Sequence, residues 1–173
     1  MKYIIVSDSH GLTRELEQVV RAFPDVDGYI HCGDSELNTD HPAILPYTAV
    51  NGNCDWNGNF PDEQTIYKQT HRFFITHGHL YNVKTTLLNL HYKALEKGAS
   101  IVCFGHSHLV GAEMIDGILY LNPGSLRLPR GRKERTFMVL EIEDKQAVVS
   151  ILNVEQINDP VEKINFTLQA VNR

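Results

Sequence analysis

Lys2-Tyr3-Ile4-Ile5-Val6-Ser7-Asp8-Ser9-His10-Gly11 is the stretch on which the fold turns. A short apolar run closed by turn residues reads as a buried strand, and this one ends by delivering an aspartate and a histidine two residues apart. The same grammar recurs four times. Gly28–Cys32 leads into Gly33-Asp34, and Tyr47–Val50 into Asn51-Gly52-Asn53-Cys54-Asp55. Arg72–Thr76 leads into His77-Gly78-His79, and Ile101–Phe104 into Gly105-His106-Ser107-His108. Five strand ends therefore carry Asp, His or Asn, most of them beside a glycine.

Helical periodicity fills two of the gaps. Leu16, Val19, Val20 and Phe23 share a face, with Thr13 as N-cap and Pro24 as the stop. Val83, Leu87, Leu90, His91 and Ala94 share another, with Asn82 as N-cap and Gly98 past the C-terminus. Residues 38–46 hold at most a helical turn, because Pro42 and Pro46 interrupt them. Strand alternating with helix predicts an α/β protein with a largely parallel sheet, whose ligands collect beyond the carboxyl ends of the strands. The last third changes to hairpins. Glu113–Ile115 and Ile118–Leu121 flank Asp116-Gly117, and Thr136–Ile142 and Ala147–Asn153 flank a turn at 143–146. That change predicts a second sheet packed on the first. With no repeat or linker, residues 1–173 are expected to form one domain.

Composition narrows the classes. Among 173 residues, 42% are hydrophobic and 21% charged, as in ordinary globular proteins. A net charge of −5 argues against general nucleic-acid binding, so affinity for a phosphorylated ligand must be local. The first apolar run meets Asp8 too early for a signal peptide, and no run is long enough for a membrane helix. Three cysteines, Cys32, Cys54 and Cys103, fit reduced thiols and a cytoplasmic location.

The ligand types indicate the chemistry. Asp8, His10, Asp34, His77, His106 and His108 offer carboxylate and imidazole donors, Asn53 adds an amide oxygen, and Asp34 can bridge two cations. Such a set suits Mn²⁺, Fe²⁺, Co²⁺, Ni²⁺ or Zn²⁺ better than Ca²⁺. Two divalent ions, less two aspartates and a bridging hydroxide, leave one net positive charge. A pair of metals about 3.5–4 Å apart can clamp an in-line displacement at phosphorus. Phosphoester hydrolysis is the reaction implied.

In this order, Asp-x-His, Gly-Asp, Gly-Asn-x-Asp, His-Gly-His and Gly-His-Ser-His resemble the calcineurin-like metallophosphoesterase family. The chain's length and its Gly-Asn-Cys-Asp are similar to the YfcE-type phosphodiesterase branch. The resemblance implies a four-layer α/β/β/α sandwich of two mixed sheets. It also implies two divalent ions, Mn²⁺ foremost, one held by Asp8, His10, Asp34 and His108. The other would be held by Asp34, Asn53, His77 and His106. Family members commonly place a histidine where Cys54 stands, paired with the acidic residue that is Asp55 here. A thiol is a poor substitute for that acid, so activity is expected to favour phosphodiesters or activated leaving groups over ordinary monoesters. His79 is a candidate replacement acid, and the catalytic candidates are Asn53, Cys54, Asp55 and His79.

Other features have plainer readings. His41, His71 and His91 fit structural or surface roles, His31 either packs or orients a ligand, and Cys32 and Cys103 fit buried strand positions. Asn122-Pro123-Gly124-Ser125 is either a simple turn or a wall of the site. Arg127, Arg130, Arg132, Lys133 and Arg135 read as solvated surface or as a phosphate-guiding rim. The expected partner is a small phosphodiester, with no membrane and nucleic acid not favoured; a homo-oligomer is left open. Two alternatives differ in kind. A retromer subunit uses this fold as a non-catalytic interaction scaffold with a degraded metal site, whereas none of the seven ligands is replaced here. A Ser/Thr protein phosphatase would carry Asp-Arg-Gly after Gly-Asp, where this chain has Ser35-Glu36-Leu37.

Overall fold

β1 (Lys2–Val6) explains why the opening run is continuously apolar. Ile4 and Val6 face one hydrophobic cluster and Tyr3 and Ile5 another, so the strand is buried on both faces. The computed structural model describes residues 1–56 and 59–169. In it β1 pairs in parallel with β2 (Gly28–His31), and β2 with β3 (Tyr47–Ala49). On its other side β1 pairs antiparallel with β9 (Thr136–Glu143), followed by β10 (Gln146–Asn153) and β11 (Gln156–Thr167). The first sheet thus runs β11-β10-β9-β1-β2-β3.

The second sheet is β4-β5-β6-β8-β7. β5 (His71–Thr76), β6 (Ile101–Cys103) and β8 (Ile118–Asn122) are its parallel centre. β4 (Glu63–Lys68) and β7 (Gly111–Ile115) are antiparallel edges. A division into one parallel sheet and one hairpin sheet is therefore corrected. Both sheets are mixed: the second has a parallel centre flanked by antiparallel edges, the first joins a parallel half (β1, β2, β3) to an antiparallel half (β9, β10, β11), and the two hairpins go to different sheets. Both hairpins turn where expected, with Asp116 at φ 48° and Gly117 at φ 79° in the first and Asp144 at φ 52° in the second.

Tyr3, Ile5, Ile30, Phe73, Ile101 and Leu121 join the core between the sheets. α1 (Thr13–Ala22) covers the outer face of the first sheet through Leu16 and Val19. α2 (Leu88–Lys97) covers the second through Leu90 and Ala94. The architecture is the four-layer α/β/β/α sandwich.

Two helix starts differ from expectation. Leu12, in extended conformation, precedes α1, so Thr13 is its first residue and makes no capping bond. α2 begins at Leu88, well after Asn82. Asn82 has φ 56° and closes a single 3-10 turn, His79–Tyr81; an N-cap residue needs β-region angles, so it cannot cap a helix there. Val83 and Leu87 still pack against α2's apolar face from the intervening turns. Gly98 ends α2 at φ 60° as expected.

Candidate metal centre

Each of the five motifs leaves the carboxyl end of a parallel strand, β1, β2, β3, β5 or β6, and the loops meet where the two sheets abut. The loops are laced by backbone bonds. Asp8 and His10 donate N–H to Gly33 O and Asp34 O, both at 3.0 Å, and Gly105 N–H reaches His77 O at 3.0 Å. Asp8 and His10 (φ 52° and 43°), Asp34 and Glu36 (54° and 55°), and His106 and His108 (66° and 60°) are all left-handed. Such a conformation costs non-glycine residues about 1–2 kcal/mol each. Strain concentrated in three i, i+2 pairs is characteristic of a functional site. In the first pair it brings Asp8 and His10 into one cluster with His108.

Two glycines make the approach possible. A Cβ on Gly52 would lie 2.1 Å from Asp34 Oδ1, and one on Gly105 would lie 2.0 Å from Ser7 Oγ and 2.7 Å from Asp8 Oδ2. Only hydrogen fits at either position.

Asp8 is fully buried at the middle of the cluster. Its Oδ2 accepts bonds from Ser7 Oγ (2.6 Å) and His106 N–H (3.2 Å). Its Oδ1 has no hydrogen-bond partner, yet faces the Nε2 atoms of His108, His77 and His10 at 3.0, 3.9 and 4.0 Å. The other nitrogen of each ring is anchored. His77 Nδ1 lies 2.7 Å from Cys32 O, His108 Nδ1 2.7 Å from Leu128 O, and His10 Nδ1 2.6 Å from Glu36 Oε1. Each partner is an acceptor, so Nδ1 carries the proton and Nε2 presents a lone pair. Lone pairs converging on an unpartnered buried carboxylate oxygen repel one another unless a cation or protons lie between them. This donor set fits a divalent metal.

Asp34 completes the set. Its Oδ2 is 3.3 Å from His77 Nε2, and its Oδ1 accepts Cys54 N–H at 2.7 Å. Burial would raise its carboxyl, but His77 and the Cys54 N–H hold it well below the usual range. Burial lowers the His77 imidazole, and Asp34 and Asp8 more than reverse this. Asn53 Oδ1 is 3.2 Å from His77 Nε2. Ligand atoms of Asp8, His10 and His108, and of Asp8, Asp34 and His77, lie within 4.8 Å of one another in each group. A third group of that kind is His10, Glu36 and Cys54. His106 sits less tightly, its ring 5.1 Å from that of His77. Burial, then His77 and Lys84, push its imidazole down to about 4.

The four catalytic candidates fall in different surroundings. Asn53 is in the cluster. Cys54 is half-buried, accepts a bond from Asn53 Nδ2 at 3.2 Å, and is pushed up to about 11 by burial and Asp34. His79 lies beside His77 with ring centroids 5.4 Å apart, and burial followed by His77 lowers it. Asp55 is buried and saturated. Its Oδ2 accepts Asp34 N–H (2.8 Å) and Gly52 N–H (2.7 Å), and its Oδ1 accepts Ser35 Oγ (3.1 Å) and Glu36 N–H (2.6 Å). That geometry shapes the loop bearing Asp34.

Several contributors escaped the sequence reading. Glu36 anchors His10 and Ser7 holds Asp8, while Arg127, read as part of the basic cluster, reaches the His10 carbonyl. Glu36 stands two residues after Asp34, the spacing of the other two ligand pairs, which was the available signal. Asn122 and Ser125 are buried in the site wall. Asn122 Nδ2 holds Gly105 O and Ser107 Oγ, and Ser125 Oγ donates to Asp8 O at 2.8 Å. His31 is buried, its Nε2 2.9 Å from Ser9 Oγ, and its Nδ1 accepts Gly33 N–H. His91 packs as expected, with Nδ1 2.9 Å from Tyr120 OH. The basic cluster disperses, with Arg132 and Arg135 pairing with Glu162, Glu15 and Glu155.

Fold and site together define an α/β protein of the metal-dependent phosphoesterase type. The chain belongs to the calcineurin-like phosphoesterase superfamily, whose domain it matches over residues 1–145. It is 49% identical over 150 residues to the probable metallophosphoesterase YsnB of Bacillus subtilis, covering 86% of this chain and 89% of that one. It is 28% identical over 187 residues to the Escherichia coli phosphodiesterase YfcE, covering 92% and 94%. The structure of a predicted phosphoesterase from Streptococcus pneumoniae superposes with a TM-score of 0.90 at 34% identity, covering 96% and 97%. A zinc complex of Vps29 from Entamoeba histolytica shares the fold, with a TM-score of 0.76 at 15% identity over 96% and 99%.

Proposed function

We propose that this protein is a phosphodiesterase that works with two divalent metals, Mn²⁺ foremost. The observation that carries the reading is the unpartnered, buried Oδ1 of Asp8 facing three Nδ1-anchored imidazoles. Asp8, His10, Asp34 and His108 would hold one ion, and Asp34, Asn53, His77 and His106 the other. When bound, such a pair supplies Lewis acidity and an activated water.

The chain's own groups do the rest. Asp55 fixes the Asp34 loop through its four accepted bonds. Glu36, Cys32 O and Leu128 O lock three histidine rings and set their tautomers. Asn53, at the open side of the cluster, is placed to orient a phosphoryl oxygen through its amide. The preference for diesters rests on the leaving group. Cys54 holds its proton too tightly to assist, and His79, lowered by burial and His77, is neutral near pH 7. Without a charged acid, a basic alkoxide leaves slowly, and acid assistance is typically worth about 10²–10⁴ in rate. A diester with an acidic leaving group needs none.

Residues 1–173 are read as one domain, and the cytoplasm as its location. The buried free thiols of Cys32 and Cys103 fit a reducing compartment, and among the described residues no helix is long and apolar enough to cross a membrane. The scaffold alternative would not require seven intact ligands. Assay of metal-loaded protein on bis(p-nitrophenyl) phosphate tests the reading. Turnover lost in Asp34→Asn supports it, and wild-type protein inert with every candidate metal refutes it.

A further inference from the structure

Beside the GHSH loop lies a cleft of about 520 Å³, within the range of small-ligand pockets. Its floor is apolar, formed by Val83, Leu87, Phe104 and Tyr120 from the cluster under α2. The wall toward the metal centre is Ser107, which stands between His106 and His108, and Asn122, which holds Ser107 Oγ at 2.9 Å. Lys84 and Arg130 line the edge. Among the described residues neither makes an ion pair, whereas Lys93, Lys97 and Arg135 do. Glu113 lines the cleft from β7.

A phosphoryl group at the ligand loops therefore has apolar space one loop away, in a cleft that two cations without ion-pair partners also line. Resting on the phosphoesterase reading, we propose that this cleft receives an aromatic or similarly bulky apolar arm of the substrate, with Lys84 and Arg130 facing its anionic oxygens. The substrate class is a phosphodiester with at least one ring-bearing arm. A small dialkyl diester would leave the cleft unfilled.

Gly111 offers a probe, because a Cβ there meets nothing within 4 Å. Binding of methylphosphonate and phenylphosphonate to the Mn²⁺-loaded protein would be measured by calorimetry. The wild type should bind phenylphosphonate at least about tenfold more tightly, the value of one buried ring. Gly111→Trp should erase that preference and leave methylphosphonate affinity within about twofold. Lys84→Gln, on the exposed surface, should weaken both ligands alike by about twofold to fivefold. Equal affinities in the wild type, or a preference that survives Gly111→Trp, would overturn the assignment. If neither phosphonate binds the wild type, the phosphoesterase reading fails and this inference with it.

Discussion

Asp55→Asn separates a positioning role from a catalytic one. The native carboxylate is buried and accepts four bonds, from Asp34 N–H (2.8 Å), Gly52 N–H (2.7 Å), Ser35 Oγ (3.1 Å) and Glu36 N–H (2.6 Å). Asparagine keeps the shape but replaces one oxygen with an NH₂ group. If the amide oxygen serves Asp34 and Gly52, the NH₂ meets Ser35 and Glu36. The Ser35 hydroxyl can turn to accept, but the Glu36 N–H cannot. One charge-assisted bond worth about 1.5–3 kcal/mol is lost, a buried donor is left facing a donor, and the remaining bonds weaken. The sum is about 3 kcal/mol, or a fall in Tm of about 6–12 °C for a chain of this size. Because the loop carries Asp34, metal affinity should fall about 10–100-fold. Urea denaturation and Mn²⁺ calorimetry measure the two effects. A variant that keeps wild-type stability and metal affinity but loses turnover would refute the positioning account and restore Asp55 as a partner in proton transfer.

Gly105→Ala should destabilise by about 1–3 kcal/mol and impair metal binding, since its methyl must displace Ser7 Oγ and Asp8 Oδ2; denaturation with metal titration reads both. Cys54→His should raise turnover of an alkyl monoester such as glycerol phosphate more than that of bis(p-nitrophenyl) phosphate, and a phosphate-release assay on the alkyl monoester with no gain would count against the leaving-group argument. Chelation should lower stability reversibly: Mn²⁺ at a hundred times its dissociation constant restores about 2.7 kcal/mol, visible as a rise in Tm. Glu63 meets Tyr81 and Lys97, and although burial would raise its carboxyl, these partners hold it below the usual value. A depressed carboxylate stabilises the fold above its unfolded pKa, near 4.3, and loses that contribution as pH falls through the folded value. Urea midpoints below pH 5 should therefore fall less steeply in Glu63→Gln than in the wild type.

Most of the candidate site was legible in the sequence because its proposed ligands follow short strands whose residues are mostly apolar and buried. The edges were harder to read. β4, Glu-Gln-Thr-Ile-Tyr-Lys, is only partly buried, and β11 is largely exposed. β11 also contains Pro160, tolerated at an edge strand where the register slips beside Leu152. Sheet membership was hidden too, because hairpin signals fix which strands pair but not which sheet receives them. The start of α2 was misplaced because Asn82 favours both an N-cap and a left-handed turn, and packing of the His79–Tyr81 turn selected the second. The bonds made by Glu36 and Asp55 were not legible in the sequence. Their roles depend on backbone N–H groups and a ring nitrogen brought close only by folding.

The account rests on Asp8 and Asp34 organising a two-metal centre. Calorimetric titration of chelator-treated protein with Mn²⁺ tests this most directly. It should give two equivalents bound by the wild type, with loss of at least one in Asp34→Asn. Less than one equivalent bound by the folded wild type would contradict it.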